Sequence, residues 1–361
     1  MPSFIFFLVA VLTPTFGMNL LELCQSGIRD DGSNYVQCAR KSLSEIPSFA
    51  SHRFFNLAFD ELILSDNDIT HIHANAFNGL RIKRLIMSGN RLRSIDKNAF
   101  RELENYLEQL TLEFDPSVVD TVPEAVKANL GNIRSLTLTG LNLRHLSSNA
   151  FEQMRKLESL SLKACRLQTI DSDAFHSIEK QVRHLHLDFN QLDHRISTVI
   201  NRVTNLETLS LSHNRINQFE TKLVNKNLRY IDLSYNGLTK LVLRKMQNLQ
   251  VLNVQNNLLA SEQINGSIPD QLLELILDFN SIRVLPKDFL TENNALETLS
   301  IQSNDFSLTD AHTLRYLTKL KRLNLARNNI QRIPEGKLCN RTLLLLIVLR
   351  AREDRYRFLV R

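Results

Sequence analysis

Two histidines spaced two apart beside a carboxylate are the residues of this chain best suited to chemistry. In the segment HLHLD, His184, His186 and Asp188 alternate with leucines, so in a strand all three project from one face. Two imidazoles and a carboxylate at that spacing could share a metal ion. Ser210 and Asp232 stand one and two repeats further on, at the position of His186. On strands about 4.8 Å apart, His186, Ser210 and Asp232 could form the contact chain that activates a serine nucleophile. Other features argue against both chemistries. No phosphate loop, H-E-x-x-H, C-x-x-C or G-x-S-x-G motif occurs. No glycine-rich turn supplies an oxyanion hole, and the face carrying these residues is open rather than closed around a substrate. Thr111, Thr137, Ser161, Ser300 and Asn324 occupy the position of His186 elsewhere, so that position reads as polar throughout and a serine beside a histidine follows from repetition. We expect no catalytic residue, no metal and no cofactor.

A repeat positions these side chains. In LETLSLSHNRI, Leu206, Leu209, Leu211, Asn214 and Ile216 spell L-x-x-L-x-L-x-x-N-x-L, the leucine-rich repeat signature. Leu209 and Leu211 alternate with Thr208, Ser210 and Ser212, the period of a strand buried on one side. Asn214 falls where the chain leaves the strand and its backbone groups turn inward; an amide offers both donor and acceptor to satisfy them. One such coil cannot cover its own leucines, so the unit must recur and stack. Its asparagine position recurs at Asn67, Asn90, Asp115, Leu141, Cys165, Asn190, Asn214, Asn236, Asn257, Asn280, Asn304 and Asn328. The eleven intervals cover 328 − 67 = 261 residues, about 24 each. Asp115 and Leu141 depart from the amide, which predicts irregular third and fourth turns.

Four turns carry a second apolar layer: Ile72, Ala76 and Phe77; Ile95, Ala99 and Phe100; Leu146, Ala150 and Phe151; Ile170, Ala174 and Phe175. With this addition the pattern resembles the "typical" subtype of leucine-rich repeat over about residues 35–334. The resemblance is to the extracellular proteins of that family, such as Toll-type, chaoptin-like and Slit-type ectodomains. It implies an α/β solenoid: a right-handed horseshoe with a parallel β-sheet on its concave side and an irregular or short-helical convex side. It also implies a cysteine-bearing amino-terminal cap. Cys24 and Cys38 would form its disulfide, closing a loop of about 15 residues worth roughly 3 kcal/mol; the alternative is two unpaired thiols. Such family caps usually hold four cysteines, so this one is reduced.

The domain reading is a signal peptide over 1–17, the cap over 18–55, twelve repeats over 56–334 and an irregular end over 335–361. Residues 1–17 hold no charged side chain, and Phe4 to Leu12 are apolar, too short to span a bilayer. At the other end Leu344, Ile347 and Leu349 stand 24 residues after Leu320, Leu323 and Leu325, which predicts a thirteenth strand with Ile347 opposite Leu323. Sequons at Asn265 and Asn340 are read as glycosylation sites outside strands. The net charge of +6 owes half to the arginine-rich tail, so a basic surface for nucleic acid is not supported.

Recognition is expected on the concave face of turns six to eight, where His184, His186, Asp188, Ser210, His213, Tyr230, Asp232 and Tyr235 gather. Aromatic and mixed-polar groups suit a protein partner. Phe189, Tyr235 and Phe279 each precede the asparagine and either join this face or pack into the turn. The expected function is that of a secreted or cell-surface protein binding a protein ligand or receptor, in adhesion, matrix or signalling. Membrane association would come through a lost anchor or a partner. The alternatives are a pattern-recognition ectodomain for microbial ligands and an intracellular scaffold.

Overall fold

The computed structural model describes residues 23–47, 57–220, 226–242, 246–265, 268–291, 294–307, 316–330, 345–347 and 358–359. Residues 1–17, read above as a signal peptide, Cys339, Asn340 and all of the arginine-rich tail except Phe358 and Leu359 lie outside them. One 16-stranded sheet runs the length of the chain. Its parallel strands from Leu57–Ile63 to Arg322–Asn324 follow chain order, and each leads into one of the twelve positions from Asn67 to Asn328, except Leu80–Leu92, which runs through Asn90. The molecule is therefore a solenoid with a parallel sheet on one side and few helices on the other.

Alternation sets which residues line the core. Leu206, Leu209, Leu211 and Ile216 are fully buried, and the same positions are buried in turn after turn. Each leucine so covered contributes about 1.5–3 kcal/mol relative to exposure. A second layer lies behind them, where Phe77 stacks on Phe100 and Phe151 on Phe175. The strands align leucine to leucine: Leu185 faces Leu160 and Leu209.

The amides join one turn to the next. Asn214 donates through Nδ2 to the carbonyls of Leu187 and Leu211, both at 3.0 Å, and accepts the Leu192 N–H at 3.0 Å. Asn67, Asn90, Asn190, Asn236, Asn257, Asn280, Asn304 and Asn328 donate in the same way. At Cys165 the buried thiol donates weakly to the Leu138 carbonyl at 3.4 Å, and the Cys165 carbonyl takes the Leu143 N–H. Burial pushes that thiol up to about 12, so it stays a neutral donor.

The third and fourth turns are irregular in a compensating way. Asp115 does not reach into the ladder. Its Oδ1 takes the Ser117 N–H at 3.0 Å, which is the group that an asparagine at 141 would have satisfied. Ser117, through its side-chain hydroxyl above all, holds the Asp115 carboxyl below the usual range. Leu141 can then be apolar and fully buried. The register shifts between Met87 and Leu92, and a short helix, Glu124–Ala128, forms the return of the third turn.

The residue just before each ladder position adopts left-handed backbone. Eleven of the twelve do so: Asp66, Gly89, Gly140, Ala164, Phe189, His213, Tyr235, Asn256, Phe279, Ser303 and Arg327. Phe114 is the exception and turns into the core. Gly140 is required beside it, because a Cβ there would sit 2.5 Å from the Phe114 carbonyl oxygen.

A charge ladder runs along one edge of the sheet. The residue after the first leucine of each turn alternates in sign over eight turns: Asp60, Lys83, Glu108, Arg134, Glu158, Arg183, Glu207 and Arg229. Lys83 pairs with Asp60 at 2.8 Å, Arg134 with Glu158 at 2.5 Å and Arg183 with Glu207 at 3.6 Å. Gln250 and Leu273 interrupt the pattern before Glu297 and Lys321 pair at 2.7 Å. Exposed pairs of this kind contribute well under about 1 kcal/mol each, but like charges at the same spacing would repel.

The ends are covered by hairpin strands. Cys24 and Cys38 are disulfide-bonded around the antiparallel strands Gln25–Ile28 and Asn34–Gln37. The second of these pairs in parallel with Leu57–Ile63. Glu61, buried at that joint, is bound by Arg29, with Arg84 3.5 Å away. At the far end Leu345–Ile347 adds in parallel to Arg322–Asn324, and Phe358–Leu359 returns antiparallel to it. The register differs from expectation by one residue, since Leu346 rather than Ile347 lies opposite Leu323. An all-apolar run from Leu343 to Val348 carries no alternation to select a register. Asn265 also departs from expectation. It ends the edge strand Ile264–Asn265, paired with Lys240–Val242, and so lies within a strand.

Candidate protein-recognition face

The register brings together the residues with chemical potential. His184 lies opposite Thr208 and Tyr230, and His186 opposite Ser210 and Asp232. Their hydrogen bonds run differently from a catalytic relay. Asp188 accepts the Ser210 hydroxyl through Oδ1, together with the Ser212 N–H at 3.0 Å and the Ser212 hydroxyl at 2.9 Å. The serine proton is thus directed to a carboxylate and away from His186. Ser210 is also buried, so it sits behind the contact surface, holding Asp188, rather than in it. Burial lowers the His186 pKa, outweighing the nearby Asp188 charge, and keeps the ring neutral near pH 7. His184 bonds the Thr208 hydroxyl at 2.9 Å. Among the described residues no group of three His, Cys, Asp or Glu is arranged to hold a metal ion.

The DFN segment at Asp188 recurs at Asp278. There the Ser300 hydroxyl and the Gln302 N–H both bond to one oxygen, Oδ1, at 2.6 Å. Burial raises the Asp278 pKa above its ordinary value. A carboxyl raised on folding is no burden below its unfolded pKa, and destabilises progressively as pH rises through its folded pKa. Asp278→Asn keeps an acceptor oxygen for both bonds and removes the buried charge. It is expected to raise Tm at pH 7 by up to a few degrees, with the gain vanishing below about pH 4. Melting curves of both proteins from pH 3 to 7 check this; a lower Tm for the variant at pH 7 would contradict it.

Phe189, His213 and Tyr235 form a stacked column, with ring centroids 4.0 and 4.1 Å apart and planes within 15°. Lys163 caps it, 5.1 Å from the Phe189 centroid. Phe189 and Tyr235 remain 48% and 44% exposed, and Phe279 is 42% exposed. These rings therefore stand outward and do not fill the turn. Left-handed backbone at a bulky residue costs roughly 1–2 kcal/mol, and here it aims three successive rings along one line. Tyr230 lies half-buried with its hydroxyl 3.5 Å from Asp232, and burial pushes its phenol up. Phe189 and Tyr235 share one register position in the sequence, but His213 between them and the stacking of all three into a column emerge only in the structure. The signal was the left-handed-tolerant Asp66, Gly89, Gly140 and Asn256 at the same position. The position of His186 is also less uniformly polar than expected, since Ile63, Ile86 and Ile276 occupy it elsewhere.

Comparison with known proteins agrees with this architecture. Residues 45–182 and 120–250 match the family described as BspA type leucine rich repeat region, in six copies. The chain belongs to the leucine-rich repeat family. Residues 270–330 match a further leucine rich repeat description. Human lumican is 27% identical over 209 residues, 56% of this chain and 60% of lumican. Bovine osteomodulin is 28% identical over 210 residues, 55% of this chain and 48% of that protein. The chain thus spans 60% or less of the length of these curated relatives. Among solved structures, Drosophila Toll in its complex with Spatzle superposes with a TM-score of 0.66 at 19% identity, covering 93% of this chain and 52% of Toll. TLR13, solved as a complex with ssRNA13, gives 0.62 at 23% identity, covering 80% of this chain and 46% of that one.

Proposed function

We propose that this is a secreted or cell-surface leucine-rich repeat protein that binds a protein ligand through the concave face of turns six to eight, without catalysis. The observation that carries the reading is the convergence of His184, His186, Tyr230 and Asp232 with the Phe189–His213–Tyr235 column on strands already in fixed register. Side chains so preorganised lose little entropy on docking. Asp188, held by two serines, adds a fixed charge. The Cys24–Cys38 disulfide suits an oxidising compartment, and the sequons at Asn265 and Asn340 and the uncharged stretch at 1–17, read as a signal peptide, are consistent with it. The relatives are matrix and receptor leucine-rich repeat proteins, which supports protein–protein recognition; a role in adhesion, matrix or signalling is part of the proposal. The TLR13 neighbour raises a nucleic-acid ligand, but the concave carboxylates Asp188, Asp232, Glu274 and Asp278 disfavour a phosphate backbone.

The test is capture of ligand from extracellular matrix extract by chain recovered from the medium of a secreting cell. His186→Ala with Tyr230→Ala is expected to weaken capture at least tenfold, as loss of two central contacts does, with Tm nearly unchanged. Convex Lys97→Ala, distant from this face, should leave it within twofold. Equal loss from the convex change would sink the concave reading, and unmodified chain retained in the cytosol would sink the extracellular one.

A further inference from the structure

Two features of the concave side have a shared consequence. The first is a missing rung. The column Phe189–His213–Tyr235 advances by 4.0 and 4.1 Å per turn, and the backbone that sets it continues unchanged. Asn256 and Phe279 hold φ of 53° and 52°, against 54° at Tyr235. At turn nine the column position is filled by the short Asn256, and at turn ten by the ring of Phe279. Two advances of about 4 Å therefore separate Tyr235 from Phe279, roughly 8 Å. One planar group in contact with a ring on each side needs about 7 Å. The Asn256 amide at the floor makes no hydrogen bond among the described residues, and both flanking rings are more than two-fifths exposed.

The second feature is charge. In turns six to eleven, the three strand residues of each turn that face away from the core include Asp188, Asp232, Glu274 and Asp278, and neither lysine nor arginine. Earlier turns are mixed, with Arg84 and Lys163, and Arg322 follows at turn twelve. The flanking basic groups stand at the sheet edge, where Arg183 is paired with Glu207. The local field is negative: the charges of Asp232, Asp188 and Glu274 each act to raise the Tyr230 phenol. A chain of net charge +6 thus presents an acidic stripe where its recognition residues lie.

We propose that this face takes a basic segment of a protein partner and that an arginine of that segment inserts its guanidinium between Tyr235 and Phe279, over Asn256. This rests on the concave reading above and adds the chemistry of the partner. Of the planar groups a protein can offer, the guanidinium alone combines a flat π-face for two rings with a full positive charge and a fork of donors for an amide oxygen. A lysine would satisfy the stripe but not the slot. An aromatic side chain would fill the slot but not the stripe.

The probes are two peptides of equal charge, acetyl-(Gly-Arg)4-amide and acetyl-(Gly-Lys)4-amide, titrated against the full chain by calorimetry at low salt. The arginine peptide is expected to bind about fivefold more tightly. Asn256→Phe supplies the missing rung and should abolish that preference without removing a ring, as should Phe279→Ala. Melting curves confirm that both variants fold. Asp232→Asn with Glu274→Gln should weaken both peptides alike. Equal affinity of the two peptides for the unaltered chain, or a preference that survives Asn256→Phe, would overturn the slot while leaving the concave face standing. If neither peptide binds, or binding is indifferent to Asp232→Asn with Glu274→Gln, the basic-partner proposal falls altogether. The matrix-capture test on His186 and Tyr230 then decides separately whether the face binds anything.

Discussion

Asn214→Leu is expected to cost about 2–5 kcal/mol and to open the solenoid from its middle. The variant keeps the volume and loses three hydrogen-bonding groups at once. The Leu192 N–H would remain buried without a partner, at about 1–3 kcal/mol, and the carbonyls of Leu187 and Leu211 would each lose one donor, at about 0.5–1.5 kcal/mol apiece, keeping those of Asn190 and Asn236. Leu141 shows when leucine is tolerated there: the preceding turn must satisfy its own N–H, as Asp115 does for Ser117. Turn six has no such substitute, because Asn190, the counterpart of Asp115, already gives its Oδ1 to the N–H groups of Cys165 and Leu167. Asn214→Cys, by analogy with Cys165, should cost less, since a thiol still donates weakly. Denaturant midpoints for the three proteins give the order; an unshifted midpoint for Asn214→Leu would refute the bridging role of the amides.

Loss of the disulfide in Cys24→Ser with Cys38→Ser should cost about 3 kcal/mol, the value for a closed loop of about 15 residues. The loss should be felt locally. In a stacked solenoid each coil is stabilised by its neighbours alone, so the cap hairpin and the buried Glu61 joint would exchange their amide hydrogens first. Amide exchange read at Val36 and Leu62 should accelerate strongly, while Leu209 changes little. Uniform acceleration along the chain would show a single cooperative unit instead.

The fold was legible because its determinants are local and periodic. Leucine spacing reports the buried side of each strand, and an amide at a fixed offset reports the turn. The two defective turns could be located from Asp115 and Leu141, although not the way one offsets the other, which depends on where a single carboxylate oxygen points. The functional face was legible as a list of residues and not as an arrangement. Whether Ser210 bonds His186 or Asp188 is decided by rotamers, and serine admits both. The Phe189–His213–Tyr235 column depends on left-handed backbone at residues that ordinarily avoid it, so residue type argued against what geometry imposes. The carboxyl-terminal register was misjudged because an all-apolar strand has no inside and outside to distinguish.

The alternating charges along the sheet edge impose a rule of parity. Removing any one turn between Lys83 and Arg229 would set two like charges on neighbouring strands about 4.8 Å apart. Removing two restores the alternation. Along this edge the chain is thus built of doublets of coils, and a rearrangement that shifts the stack by one coil is opposed even though every leucine would still find a leucine.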